Sequence, residues 1–178
     1  MKGRIELILG GVGGQGILTI GTILGEAALQ EGLFACLSSS YGTEARGTFT
    51  RSDLILSEDS IDFIEVTAPN VVLCLAQTAC DRLLPALSPG GEILFDSDQV
   101  TAADFSGISS KGYPVTSMAL ERGYPRGANL IALGLLVKRT GAVTPESVLS
   151  VLSRKMASRT SGNKEPLEAF TAGYSAVL

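Results

Sequence analysis

Apolar runs of strand length alternate along the chain with segments whose apolar residues recur every three or four positions. The predicted strands cover residues 4–9, 33–37, 48–56, 71–76, 92–95 and 113–118. The predicted helices cover residues 14–30, 77–87, 126–139, 145–157 and 165–176. Strands that alternate with helices predict an α/β fold: a Rossmann-like, open, mostly parallel sheet with helices on both faces.

Two predicted strands differ in their pattern and so in their expected place. Residues 71–76 form an uninterrupted apolar run, which is typical of a central parallel strand that is covered on both sides. Residues 48–56 alternate instead, which indicates a partly exposed strand that can run antiparallel to its neighbours. With 178 residues, we expect one domain that spans residues 1–178.

The first strand breaks into a run of glycines before a helical pattern resumes at Ile17. Gly11, Gly13 and Gly16 have the spacing of dinucleotide-binding turns, in which backbone amides and a helix N-terminus face a phosphate. The same spacing also serves a turn that only packs a helix against a sheet. We therefore predict a cofactor-binding turn at Gly11, Gly13, Gly14, Gln15 and Gly16, and keep the purely structural alternative open.

Open parallel sheets bind ligands at the carboxyl ends of their strands. The segment 38–41, Gln77 and Asp96 are expected at those ends. A nicotinamide dinucleotide site would place a carboxylate after the second strand, where this chain has three serines. An NADP site remains open, because Arg46 or Arg51 could hold a 2′-phosphate.

A polar loop follows the second strand. It contains Ser40, Tyr41, Gly42, Glu44 and Arg46, and Arg51 comes shortly after it. Arginine presents a planar fork of donors to phosphate or carboxylate oxygens. Alternatively, Arg46 pairs with Glu44 and Arg51 pairs with Asp53 on a solvated or interfacial surface.

The amino-acid composition limits the reactions that this chain could catalyse by itself. The chain has no His, three Cys without a Cys-x-x-Cys spacing, and a net charge of −4. We assign it no general acid or base, no metal and no iron–sulfur cluster of its own. Neither nucleic acid nor a membrane is an expected partner, and a cytoplasmic location is expected. Only 18% of residues are charged, so we expect a subunit interface, and a homodimer is possible for the isolated chain.

The chain contains several motifs, in the same order, that resemble those of the gamma subunit of 2-oxoacid:acceptor oxidoreductases. This group comprises the pyruvate and 2-oxoglutarate ferredoxin oxidoreductases. The resemblance begins with the glycine turn at 11–16 and the segment 40–53, and continues through 75–77, Asp81, 89–91, 96–98, 129–134 and 170–173. It covers nearly the whole chain. Thr43 stands where the family commonly has Pro, and Thr48 where it commonly has a second Gly.

The resemblance implies a multi-subunit enzyme that decarboxylates a 2-oxo acid and transfers the acyl group to coenzyme A. It further implies thiamine diphosphate in companion alpha and beta chains and electron transfer through iron–sulfur clusters to ferredoxin, with a ferredoxin-like delta chain. This chain would enclose the active site and accommodate coenzyme A. The alternatives are a stand-alone NADP- or nucleotide-binding module and an indolepyruvate oxidoreductase subunit.

Overall fold

The computed structural model describes residues 3–41, 48–101, 105–157 and 164–176. Its strands are β1 (Ile5–Val12), β2 (Phe34–Tyr41), β3 (Phe49–Ser57), β4 (Val71–Cys74), β5 (Glu92–Asp96) and β6 (Ser109–Tyr113). Its helices are α1 (Ile17–Gln30), α2 (Gln77–Leu83), α3 (Val115–Glu121), α4 (Ala128–Thr140), α5 (Pro145–Ala157) and α6 (Glu165–Ser175). Short 3₁₀ turns occupy Leu84–Ala86 and Pro125–Gly127.

The strands form one sheet in the order β2-β3-β1-β4-β5-β6. The pairs β1–β4, β4–β5 and β5–β6 are parallel, whereas β3 runs antiparallel to both β1 and β2. β3 is therefore the one reversed strand of the described sheet. The mostly parallel α/β architecture is confirmed, and so is the antiparallel strand that the alternating pattern indicated.

Helices cover both faces of the sheet, but unequally. One face packs against α1, α3, α4, α5 and α6 and forms the larger core; we call it the helix-rich face. The other face, here called the α2 face, carries a smaller core around α2. In the described ranges, no helix is both long and apolar enough to cross a membrane.

Helix α5 has the predicted bounds, because Thr144 caps it and Pro145 begins it. The Thr144 hydroxyl oxygen accepts a hydrogen bond from the Ser147 N–H at 3.3 Å. The prediction of a strand at 113–118 is wrong: the strand β6 covers Ser109–Tyr113 and the helix α3 begins at Val115. The sequence of β6 has few apolar residues because β6 is a mostly exposed edge strand, so its pattern does not mark it.

β1 is longer than predicted, and α1 is shorter. The apolar run ends at Leu9, but the backbone stays extended to Val12, which lies opposite Phe49 of β3. Gly14 and Gly16 have positive φ angles of 98° and 74°, so the turn continues to Gly16 and the helix begins only at Ile17. Residues 13–16 thus form a separate turn between β1 and the helix.

A buried carboxylate, Glu6 on β1, fixes the connection between β3 and β4. It is 7% exposed, and its Oε2 accepts hydrogen bonds from the N–H groups of Thr67 and Ala68, both at 2.8 Å. Arg4 donates to Oε1 at 2.8 Å. Burial alone raises the pKa of Glu6, but these hydrogen bonds and the Arg4 charge outweigh burial and lower that pKa overall.

We expect Glu6→Gln to lower the free energy of unfolding by about 1–2 kcal/mol at pH 7, because the ionised carboxylate accepts all three hydrogen bonds. A carboxyl whose folded pKa is lowered stabilises the fold above its ordinary pKa, near 4.5, and loses that contribution as the pH falls through the folded value. The difference between wild type and Glu6→Gln should therefore shrink below pH 4.5. Urea unfolding at pH 3 to 7 measures this, with the exposed Glu58→Gln as control; a difference independent of pH would contradict it.

Candidate functional site

A cleft of about 240 Å³ lies where the parallel strands end. It is bounded by the glycine turn after β1, the ends of β4 and β5, and the starts of α3 and α4. Its lining consists of Gly14, Gln15, Leu75, Asp96, Gln99, Val115, Thr116, Pro125, Arg126, Ala128 and Asn129. This is the edge at which an open α/β sheet binds ligands.

The glycine turn forms one wall of the cleft. A Cβ at Gly14 would meet no atom within 4 Å, so the exposed backbone of this residue faces open space. A Cβ at Gly16 would instead collide with the side chain of Asn129, which lies in the first turn of α4. The absence of a side chain at Gly16 thus lets the starts of α1 and α4 approach each other.

Gln15 holds the glycine turn against the sheet. Its side-chain oxygen accepts a hydrogen bond from the Val12 N–H at 2.8 Å, and its side-chain nitrogen donates to the Leu75 carbonyl at 2.7 Å. The turn is further tied to β3, because the Gly13 N–H donates to the Thr48 carbonyl at 2.9 Å. Both polar ends of the Gln15 amide therefore serve the protein, and Gln15 acts in this structure as a positioning residue.

The N-terminus of α1 follows directly after Gly14 and Gln15, the two residues of the glycine turn that line the cleft. Its cap residue is Gly16, no side chain caps it, and its first turn contains no acidic residue. The positive end of a helix attracts negative charge, which a capping or acidic side chain can supply. An anion beside this end of α1 would therefore be stabilised.

The neighbouring helix α3 shows the opposite arrangement. Asp96, which is 2% exposed, accepts hydrogen bonds at Oδ1 from the Val115 N–H at 3.0 Å and the Asp98 N–H at 3.1 Å. Its Oδ2 accepts from the Thr116 hydroxyl at 2.6 Å. Asp98 accepts from the Ser117 N–H at 2.7 Å. Both carboxylates hold the start of α3, and Asp96, the one that lines the cleft, is therefore not a free general base.

Arg126 supplies the cationic group of the cleft. It lies exposed in the 3₁₀ turn that leads into α4, and within the described ranges its guanidinium makes no ion pair. Together with the Gly14 backbone and the Asn129 side chain, it gives the cleft a set of hydrogen-bond donors. Such a set suits a phosphate or carboxylate, because charge-assisted and bidentate hydrogen bonds from arginine are strong.

The described members of the predicted site on β2 and β3 lie apart from this cleft, on the far side of β1. Ser40 and Arg51 are paired across β2 and β3, and Arg51 lies opposite Gly10 of β1. Arg51 donates to Asp53 through Nε at 2.6 Å and Nη2 at 2.8 Å, as one of the two sequence interpretations expected. Gly42, Glu44 and Arg46 fall outside the described residues, and only the backbone of Tyr41 is described.

Gln77 begins α2 beside the cleft but does not line it. It donates to Asp81 at 2.8 Å and accepts from the Thr101 N–H at 2.9 Å, so it connects α2 with the loop after β5. Within the described ranges, the predicted site residues therefore form three groups: the glycine turn, Gln77, and the β2–β3 pair Ser40 and Arg51.

The insertion of β3 between β1 and β2 bears on the dinucleotide hypothesis. In the doubly wound dinucleotide fold, the strand that carries the ribose-binding carboxylate lies next to the glycine strand. Here the end of β2 is separated from β1 by a whole strand and carries no acid in its described residues. Both the residue types and the topology thus argue against a nicotinamide dinucleotide at this turn.

The cysteines do not form a metal or cluster site. Cys36 lies on β2, whereas Cys74 and Cys80 are buried in the core beside α2. A hydrogen bond with Cys80, together with burial, raises the pKa of Cys74 above its usual range and keeps that thiol protonated. No group of three or more His, Cys, Asp or Glu in the described ranges is placed to hold a metal.

Arg126, Asn129 and Thr116 are cleft residues that the sequence did not mark as site residues. Arg126 and Asn129 could have been identified from their position, because one lies just before an apolar helix and the other in its first turn. Thr116 could not be identified in this way, because its segment was predicted as a strand. Asp96 was expected at a strand end, and the structure confirms that location.

The family model for pyruvate ferredoxin/flavodoxin oxidoreductase matches residues 6–176. The chain is 36% identical to the 2-oxoglutarate synthase subunit KorC of Methanocaldococcus jannaschii, over 98% of this chain and 94% of that protein. Its structure matches the gamma subunit of a keto/oxoacid ferredoxin oxidoreductase from Geobacter sulfurreducens with a TM-score of 0.83 and 32% identity, covering 97% and 95% of the two chains.

A further solved structure shows the same fold within a larger chain. It is the 2-oxoglutarate:ferredoxin oxidoreductase of Magnetococcus marinus, with 2-oxoglutarate, coenzyme A and succinyl-CoA bound. The TM-score is 0.88 at 21% identity, and the match covers 98% of this chain and 31% of that one. The family match and the KorC relative agree with the resemblance found in the sequence. The chain belongs to the pyruvate ferredoxin/flavodoxin oxidoreductase family and is a gamma subunit of a 2-oxoacid:ferredoxin oxidoreductase.

Proposed function

We propose that this gamma subunit serves a complex that oxidatively decarboxylates a 2-oxo acid to acyl-CoA and CO2, and that its cleft receives the phosphate groups of coenzyme A. The acid to test first is 2-oxoglutarate, since the KorC relative is a 2-oxoglutarate synthase subunit. Residues 1–178 act in this proposal as one domain.

The observation that carries the proposal is the donor-rich cleft at the carboxyl edge of the sheet. Gly14, Arg126 and Asn129 line it and the uncapped start of α1 follows the glycine turn, while Asp96 is committed to α3. A site of this kind binds and orients an anion but has no group to move a proton. Coenzyme A carries phosphates that such donors recognise, and its thiol accepts the acyl group.

The redox chemistry belongs to companion chains in this proposal. Cys36 lies on β2 away from the buried pair Cys74 and Cys80, and three cysteines do not supply the four ligands of a cluster, so this chain does not fit an iron–sulfur cluster and we derive no step through one. Thiamine diphosphate is assigned to the alpha and beta subunits. The clusters are assigned to companion chains that include a ferredoxin-like delta subunit, and ferredoxin is the acceptor of the complex.

Ser40 and Arg51, on the far side of β1, are proposed to face the companion chains, together with Tyr41, Gly42, Glu44 and Arg46, which are near them in the sequence. Arg51 is half-buried in its pair with Asp53, so a partner carboxylate would have to share or displace Asp53. Gln77 would support the loop after β5 next to the cleft.

We expect Arg126→Ala to raise the apparent KM for coenzyme A by about tenfold or more, because a hydrogen bond to a charged group contributes about 1.5–3 kcal/mol. The kcat should change by less than about twofold, since the side chain binds substrate equally in the ground and transition states. The measurement is 2-oxo acid-dependent reduction of ferredoxin by the assembled complex over a range of coenzyme A concentrations.

Arg122→Ala is the matched control, because Arg122 is an exposed cation on the α3 side outside the cleft. It should leave the KM for coenzyme A unchanged. Size-exclusion chromatography of both variant complexes separates a binding defect from an assembly defect. Equal KM values for wild type, Arg126→Ala and Arg122→Ala would refute the proposed role of the cleft.

A further inference from the structure

The loop after β3 exposes two adjacent large apolar side chains. Phe63 is 54% exposed and Ile64 is 63% exposed. They belong to residues 58–65, here called the acidic loop, which precede β4 at the amino end of the parallel strands. This is the edge of the sheet opposite the cleft. Exposed apolar residues that occur singly need no explanation, whereas contiguous ones mark interaction sites.

Contacts with β1 and the core hold the acidic loop in position. The guanidinium of Arg4, next to β1, donates to the Phe63 carbonyl at 3.3 Å. The carboxylate of Glu6 binds the backbone that follows the loop at 67–68, and Val66 packs against the core of the α2 face. Since the loop is anchored on the side of the sheet, a partner that binds it has little conformational entropy to remove.

Every charged side chain of the acidic loop is a carboxylate. All of them are exposed: Glu58, Asp59, Asp62 and Glu65. Within the described ranges none of them forms an ion pair. Arg4, the cation beside the loop, is paired with Glu6 instead. The two apolar side chains are therefore flanked by unpaired negative charge.

This charge favours a basic protein surface as the occupant. Nucleic acid and anionic membranes would be repelled, and so would a second copy of the chain, whose net charge is −4. Stable interfaces have an apolar centre and a polar rim. Phe63 and Ile64 would fill an apolar pocket of the partner, and lysine or arginine at the rim of that pocket would pair with the carboxylates.

We propose that the acidic loop docks into a companion subunit of the complex, at an apolar pocket rimmed by lysine and arginine. This interface is separate from Ser40 and Arg51. Arg51 lies opposite Gly10 near the carboxyl end of β1, whereas the acidic loop lies beside the amino end of that strand. The inference rests on the proposed assembly with companion chains, but not on the coenzyme A cleft.

The test is a competition for assembly inside the cells that make the complex. Wild type and one variant of the full chain are produced together, in excess over the companion chains, and the complex is isolated through a tag on a companion chain. Mass spectrometry gives the ratio of the two forms in the complex and in the whole lysate. We expect Phe63→Ala and Asp62→Lys each to be depleted from the complex by about tenfold, because one loses the apolar anchor and the other reverses a charge facing the basic rim.

Leu120→Ala and Glu121→Lys are the matched controls on α3. Leu120 is 57% exposed, close to the value for Phe63, and Glu121 is an exposed carboxylate like Asp62. Both controls should enter the complex like wild type. Circular dichroism of the purified chains checks that all four variants fold.

Amide hydrogen exchange locates the contact, because residues 58–65 should exchange more slowly in the complex than in the free chain. Equal incorporation of Phe63→Ala and wild type, equal depletion of the controls, or unchanged exchange at 58–65 would overturn the docking role and leave the proposed function standing. A wild-type chain that binds no companion subunit would overturn both. Protection of the loop by a second copy of the chain would overturn the docking role as well.

Discussion

Gly173→Ala is expected to lower the free energy of unfolding by about 3 kcal/mol, the upper part of the range for overpacked cores. Gly173 lies on α6 where this helix crosses α4. A Cβ there would lie 2.8 Å from the carbonyl carbon of Ile131 and nearer still to its oxygen. Both atoms belong to backbone, so no side chain can turn away, and the helices have to move apart.

The crossing is tight from both sides. A Cβ at Gly134 of α4 would lie 2.9 Å from the carbonyl carbon of Gly173 and closer to the backbone of Phe170 and Tyr174. Phe170 is fully buried beside this contact, so separation of the helices would loosen the larger core. The expected loss thus comes from packing and not from glycine's backbone freedom.

Gly25→Ala is the matched control in another helix. Its Cβ would meet Ala35 and Leu54 at 3.9 Å, an ordinary contact distance. Alanine also favours a helix interior by about 0.5–1 kcal/mol over glycine, so this variant should be slightly more stable than wild type. Urea unfolding of the three proteins measures both effects. Equal stability of Gly173→Ala and wild type would contradict the described crossing.

Asp96→Ala is expected to lower the free energy of unfolding by about 3 kcal/mol. The substitution removes the acceptor for the Val115 and Asp98 N–H groups and for the Thr116 hydroxyl. Asp96 is 2% exposed, so water reaches these donors poorly. The start of α3 also forms a wall of the cleft. The variant complex should therefore lose affinity for coenzyme A as well as stability.

Asp98→Ala is the control for this prediction. Asp98 is exposed and accepts one hydrogen bond from the α3 backbone. The substitution should therefore lower the free energy of unfolding by about 1 kcal/mol, as for other helix caps. Urea unfolding and the coenzyme A titration of the complex measure both variants. An Asp96→Ala protein as stable as Asp98→Ala would show that Asp96 does not hold the start of α3.

The fold was largely predictable because its strands and helices have distinct periodicities. The uninterrupted run at β4 and the alternation at β3 gave both their type and their direction. The failure at β6 and α3 has a physical cause: β6 is mostly exposed and so lacks an apolar run, while α3 depends on caps from Asp96 and Asp98 that lie on another segment.

The site was predictable in part. The glycine turn was found because its residues are adjacent in sequence, but Arg126 and Asn129 meet the turn only through the packing of α4 beside α1. Because β3 lies between β1 and β2, Ser40 and Arg51 are also separated from the cleft beside the glycine turn. The order of strands in a sheet cannot be read from spacings along the sequence, so the sequence did not predict this separation.

The central claim is that this chain acts as a gamma subunit among companion chains that hold the redox cofactors. The most direct test is to isolate the tagged chain anaerobically from its own cells and to identify bound chains by native mass spectrometry. We expect a complex with a thiamine diphosphate-binding pair and a ferredoxin-like chain that reduces ferredoxin when given a 2-oxo acid and coenzyme A. Recovery of the chain without such partners, or holding a nicotinamide dinucleotide, would contradict the account.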